Sequence, residues 1–288
     1  MDWRVKCLAF YALQHFPRSA YAFFQRRITE RFLFDIQPAD LAAYKYHVDN
    51  FRRLTGGGRA LEFGAGPNLL ATLLLSNAGA IEVLAYDIER LASVEQVNYV
   101  IGQLRDLVPG NWPDIVPDIV DLDEDLRRNY RIRYCAPGDA RKTGLPAGSV
   151  DFICSTSTLE HIPGGEIAAI LSECRRLASS HALFSFIVDY HDHYATADSA
   201  ISRFNFYRYS ARQWRWFNPS NHYQNRLRHS DYAQIFGEQN LNTIDGRRIM
   251  KVSDESELER IRVCSEFSGY LRADLVALNG VFLLDRRK

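Results

Sequence analysis

Hydrophobic and polar positions follow two spacings along this chain, and the switches between them mark its elements. Short apolar runs bounded by turn residues fall at 60–63, 81–86, 131–135, 150–155 and 182–188, and each predicts a buried strand. Helical spacing at 68–76, from 88 to about 107 and from 166 to about 179 predicts helices between them. Strands alternating with helices predict an α/β fold, a parallel sheet with helices on both faces. Farther on, the pattern predicts a helix at 232–239, a strand at 242–251, a helix at 255–263 and a final strand at 275–284 interrupted by Asn279-Gly280, an antiparallel end to the sheet. Upstream, apolar residues at Val5, Leu8, Ala12 and Phe16, then at Tyr21, Phe24, Ile28 and Phe32, predict two helices either side of Pro17. A third helix runs from about 39 to 54 and ends at Gly56-Gly57-Gly58, read as a flexible joint. This division gives an N-terminal helical cap at 1–56 and a main domain at 57–288, with insertions at about 108–130 and 190–230. The first insertion is Pro-rich and acidic and reads as a solvated flank.

Composition narrows the picture only a little. The 288 residues are 47% hydrophobic and 24% charged, with 35 basic and 35 acidic side chains and a pI near 7.1, which argues against nucleic acid as a partner. Five scattered cysteines suggest neither a disulfide framework nor a zinc cluster and point to a reducing, cytoplasmic setting. Within 1–34, six basic residues outnumber two acidic ones, so the cap either packs on the main domain or lets the protein touch acidic lipid peripherally.

The candidate chemistry begins where the first strand ends. Gly64-Ala65-Gly66 let the backbone turn sharply beneath a ligand, and the next helix presents free N–H groups to it. Asp87 ends the second strand 21 residues after Gly66, a spacing suited to ribose hydroxyls. A dinucleotide fingerprint wants glycine at position 69, where Leu69 stands. Taken in order, Leu61-Glu62-Phe63-Gly64-Ala65-Gly66-Pro67-Asn68, Tyr86-Asp87, Gly138-Asp139-Ala140 and the stretch from Val150 to Pro163 resemble the class I S-adenosylmethionine-dependent methyltransferases over about 59–188. The resemblance implies a Rossmann-like, seven-stranded, mostly parallel sheet and S-adenosylmethionine as cofactor. It also implies that Glu62, Gly64, Ala65 and Gly66 meet the methionine end, that Asp87 binds the ribose hydroxyls, that Ile88 packs on adenine, and that Asp139 and Ala140 read its edge. Ser155 then lies near the transferable methyl. Asn68 stands where many members carry glycine, and its side chain is suited to capping the helix or touching the carboxylate.

For the methyl acceptor, His161, His191 and His193 are the candidate bases. Asp189 and Asp192 flank the latter two and are placed to orient an imidazole. The same loop offers metal-binding side chains, but alternating residues on a loop are a weak metal signal and no metal is assigned. Residues 199–230 hold no acid but six arginines and eight aromatics, placed where this family commonly carries a substrate-binding insertion. Tyr190, Arg208, Tyr209, Arg226 and Arg228 are the candidate substrate contacts, arginine forks suiting phosphate or carboxylate and rings enclosing a sugar or apolar portion. Alternatively, the arginines pair with the acidic 121–125 stretch and the aromatics form the insertion's own core. The expected function is methyl transfer to an oxygen or nitrogen of a small or medium-sized acceptor, anionic, sugar or lipid-linked. A methyltransferase-like binding or scaffold protein without turnover and a peripheral membrane protein acting through its N-terminal helices are the competing readings.

Overall fold

β1 (Arg59–Phe63) is buried on both faces, Glu62 included, because it lies inside the parallel part of the sheet, where both faces are covered. The computed structural model describes residues 2–15, 34–54, 56–108, 112 and 119–286. β1 pairs in parallel with β2 (Glu82–Tyr86) on one side and β4 (Val150–Thr156) on the other. β3 (Ile132–Cys135) extends the β2 side. β5 (Ala178–Asp189) pairs in parallel with β4, and β7 (Asn279–Arg286) inserts antiparallel between β5 and β6 (Leu241–Ile249). The sheet order is therefore β3-β2-β1-β4-β5-β7-β6. The chain reverses its winding between β1 and β4, so the carboxyl ends of these two strands form the crevice where such sheets bind ligands.

Ten α-helices occur among the described residues. α1 is Trp3–Leu13, α2 Pro38–Phe51, α3 Leu70–Asn77, α4 Val94–Leu107 and α5 Leu122–Tyr130. α6 is Gly164–Leu177, α7 the single turn Ala211–Trp214, α8 His229–Glu238, α9 Val252–Glu259 and α10 Arg272–Val276. Alternate strand residues divide between two cores. Ala60, Val83, Ala85, Phe152 and Cys154 pack towards α2, α3, α4 and α5. Leu61, Phe63, Leu84, Ile153, Phe184 and Phe186 pack towards α6 and α8. A third, largely aromatic core joins α1 to the second insertion and to α9 and α10 through Trp3, Tyr194, Phe204, Phe206, Tyr207, Trp214, Leu258 and Val276.

Several expectations change. α4 starts at Val94, capped by Ser93, rather than at Ile88, because residues 87–93 hold the strand end instead; the Tyr134 hydroxyl accepts hydrogen bonds from the Leu91 and Ala92 amides there. The acidic insertion is not wholly a solvated flank. Asp121 accepts the Asp123 and Glu124 amides to start α5, whose Leu122, Leu126 and Tyr130, four apart, reach the core. The last strand starts at Asn279, and 272–276 is helical. The proposed second N-terminal helix and most of the Pro-rich stretch lie outside the described residues. α1 and α2 also separate: α1 joins the insertion's core, whereas α2 packs beside the sheet, His47 bridging Ser185 Oγ of β5 at 2.8 Å and Thr156 Oγ1 of β4 at 2.9 Å.

Candidate active site

Gly64 and Gly66 adopt φ of +71° and +67°, the left-handed region that glycine enters without strain. A Cβ on Gly64 would stand 2.2 Å from Thr158 Oγ1, so only glycine lets the turn lie against the end of β4. Asp87 is buried and takes the Gly66 amide on Oδ2 at 2.9 Å and the Glu89 amide on Oδ1 at 3.0 Å. It therefore ties the glycine turn to the loop after β2 and does not cap α4. Burial raises its pKa, and the amide hydrogen bonds offset part of that rise. Its backbone carbonyl accepts from the Gly138 amide at 2.7 Å, which draws the Gly138-Asp139-Ala140 loop alongside. Ile88, next in the chain, is 61% exposed, an uncovered apolar side chain of the kind an adenine face would cover.

Glu62 is buried one residue before the end of β1 and accepts from Thr72 Oγ1 of α3 at 2.5 Å. Desolvation pushes its pKa up to about 8 against the lowering effect of Thr72. Asn68 Oδ1 accepts the Leu70 amide at 3.2 Å from one position before the helix N-cap, which is Leu69, turned through φ +50°. Ser155 is fully buried at the end of β4, and its Oγ has no partner among the described residues. Asp139 is half-exposed and engaged by Arg141, whose guanidinium hydrogen bonds hold the carboxyl below the usual range. The strand ends thus combine a glycine cradle, a fixed carboxylate, an exposed apolar platform and an orphaned hydroxyl. These suit the ribose, adenine and sulfonium portions of S-adenosylmethionine.

Beside this crevice the structure gathers the three histidines. His161 and His193 ring centroids are 4.8 Å apart, and those of His191 and His193 are 5.1 Å apart. Asp189 is bonded to His191 Nδ1 and lies 3.6 Å from His193 Nε2, so it orients imidazoles as expected. Burial would raise Asp189, but hydrogen bonds from His191 and His193 draw it well below the carboxylate range. Asp192 does not share that role. It is buried facing the other way, accepting the Tyr194 amide at 2.9 Å and Asn205 Nδ2 at 3.1 Å, and so shapes the loop.

The structure uses the candidate substrate contacts largely as scaffold. Arg228 is 1% exposed, donates to the Tyr190 carbonyl at 3.1 Å and the Tyr207 hydroxyl at 2.9 Å, and lies over three aromatic rings. Arg226 donates to the carbonyls of Phe206 and Tyr209 and faces Phe267. Tyr190 is buried against Tyr232, and Tyr209 packs between Trp3 and Phe217. Arg208 is exposed, in a surface groove with Glu257 and Arg260. The insertion's arginines do not pair with 121–125 among the described contacts. Arg203 pairs with Asp254 and Glu257 of α9, and Arg226 lies 3.6 Å from Glu266.

Sequence reading missed three groups here. Glu160 is 1% exposed, and neither carboxyl oxygen makes a well-formed hydrogen bond among the described residues. His222 stacks on Phe10 of α1 at 4.3 Å and lies 6.5 Å from His193, so the N-terminal helix forms an outer wall of the histidine cluster. Thr158 locks the glycine turn. Nothing local marks any of them, except that Glu160 stands beside a histidine already singled out.

A model of the methyltransferase domain family matches residues 29–245. No curated protein sequence matches the chain. Among solved structures, the [4+2]-cyclase SpnF superposes with a TM-score of 0.52 at 13% identity, over 87% of this chain and 82% of that one. The Pyrococcus horikoshii protein PH0226 gives 0.50 at 11% identity, over 88% and 95%. The Haemonchus contortus phosphoethanolamine N-methyltransferase 2, solved with phosphomonomethylethanolamine and S-adenosylhomocysteine, gives 0.50 at 14% identity, over 88% and 54%. Likeness at these identities is one of fold, and a fold hosts several chemistries. The family match spans most of the chain, and the strand ends suit this cofactor: the chain belongs to the methyltransferase domain family and is an S-adenosylmethionine-dependent methyltransferase.

Proposed function

We propose that the enzyme methylates an oxygen or nitrogen of a small or medium-sized acceptor lying against His161, His191 and His193. The observation that carries this reading is the position of that cluster at the carboxyl ends of β4 and β5, the strands that also bear Ser155 and Asp189. Bound S-adenosylmethionine supplies an electrophilic methyl group. The protein's own part is to hold the acceptor in line and to take its proton, which imidazole nitrogens oriented by the Asp189 carboxylate are equipped to do. Glu62, at about 8, would give up its proton to pair with the cofactor's ammonium group. Asp87 keeps lone pairs for the ribose hydroxyls after accepting its two amides. Because Arg203, Arg226 and Arg228 are engaged within the fold, an uncharged hydroxyl or amine acceptor suits the cluster better than a phosphate. The five cysteines are unpaired, in keeping with a cytoplasmic enzyme, and no described helix is long and apolar enough to cross a membrane.

Titration calorimetry with S-adenosylhomocysteine tests the cofactor half. Binding to the wild-type chain is expected, weakened at least tenfold by Asp87→Ala; equal affinity in the two proteins would sink the assignment of Asp87. Turnover of labelled S-adenosylmethionine against a panel of hydroxyl and amine metabolites tests the acceptor half. Binding without turnover on any member would favour a scaffold role.

A further inference from the structure

Glu160, His161 and His193 each offer one ligand atom, and these atoms lie within 4.8 Å of one another. Three ligands about 2.1 Å from one ion at tetrahedral angles stand about 3.4 Å apart, so small side-chain rotations close the gap. Several observations single out this trio. The Glu160 carboxyl is buried, and its oxygens make no well-formed hydrogen bond among the described residues, only the Glu160 and Asp189 amides approaching it, an arrangement that is costly unless something supplies positive charge or a proton. A second carboxylate, Asp189, faces the same cluster. His161 Nδ1 lies 2.9 Å from the Tyr223 carbonyl, which can only accept, so Nδ1 carries the proton and Nε2 presents its lone pair. A backbone carbonyl holding the far nitrogen is the usual outer support of a metal-bound imidazole. The alternative trio of Asp189, His191 and His193 is less available, because His191 Nδ1 is bonded to Asp189 and its Nε2 to Thr196 Oγ1 at 3.2 Å.

We propose that Glu160, His161 and His193 form a binding site for a first-row divalent transition metal ion, with Asp189 as a supporting carboxylate. Two imidazoles and one carboxylate favour zinc, cobalt, iron or manganese over calcium or magnesium, which take oxygen ligands. Three protein ligands leave a coordination position open to an acceptor hydroxyl, whose proton the ion would make easier to remove. That last role rests on the acceptor placement proposed above; the site itself does not.

The test uses the full-length chain, stripped of metal by dialysis against chelator and titrated with Co2+ in the absence of cofactor. The expected result is one Co2+ per chain with visible d–d absorption, displaced by Zn2+. Glu160→Gln and His193→Gln should each weaken binding at least tenfold. His181→Gln, at an exposed histidine elsewhere on the surface, should leave it unchanged. Absence of a saturable spectrum in the wild-type chain overturns the proposal, as does a spectrum that both site variants retain. Should the variants misfold, X-ray absorption at the zinc edge of the loaded wild-type chain decides: imidazole scattering supports the site, and an all-oxygen shell overturns it. S-adenosylhomocysteine affinity, measured on the same samples, reports separately on the cofactor reading.

Discussion

Glu62 shows how a single burial couples the site to pH. The folded chain holds its proton up to about pH 8, against an ordinary glutamate value of 4.5. A carboxyl whose pKa is raised by folding contributes stability that is fully present below the unfolded value and lost as pH rises through the folded one. Between pH 5.5 and 7.5, stability should therefore fall by roughly 2–3 kcal/mol from this group, at about 1.4 kcal/mol per unit. Urea unfolding of the wild-type chain and Glu62→Gln across that range is the measurement. The variant should lose this part of the slope; identical slopes would show that Glu62 is ionised throughout.

At the scale of elements, the second insertion is held from outside by α1. Trp3, 2% exposed, packs on Tyr194 and Phe217 at 5.3 Å and 4.9 Å between ring centroids. Its amide donates to Asp198 at 3.0 Å, and the Tyr11 hydroxyl donates to the Arg215 carbonyl at 2.8 Å. Removing a buried indole costs about 3–5 kcal/mol. Because this aromatic core is distinct from the two sheet cores, Trp3→Ala should loosen the insertion before it unfolds the sheet. Hydrogen exchange should accelerate by an order of magnitude or more across 194–217 while the β1 and β4 amides stay protected. Uniform acceleration over the whole chain would show that the cores unfold together. α1 of the basic cap thus packs on the insertion, while Val5 and Leu8 remain 57% and 68% exposed on its outer side.

At the scale of the whole molecule, the cofactor crevice draws on β1, β2, β4 and the loops after them, so ligand binding should stabilise the sheet as a unit. S-adenosylhomocysteine at a hundred times its Kd adds about 2.7 kcal/mol, which should raise the thermal midpoint by roughly 5–10 °C. Asp87→Ala, binding tenfold more weakly, should show about half that shift or less at the same concentration, and an equal shift would place the ligand elsewhere. The strands, the glycine turn, Asp87 and the histidines after β4 and β5 were legible in the amino-acid sequence because each is a local pattern. An apolar run of strand length flanked by turn residues has few other places to go, and a turn through positive φ asks for glycine wherever it occurs. Partnership was not legible. Arg228 reads like any surface arginine until residues 38 and 21 positions away, Tyr190 and Tyr207, enclose it, and Glu160 reads like a solvated acid until the fold buries it among histidines. α1 meets Arg215 across 204 residues. Local sequence determined which residues could do chemistry at the strand ends, whereas tertiary packing decided which remain free to do it, because burial, charge pairing and orientation are set by contacts distant in the chain.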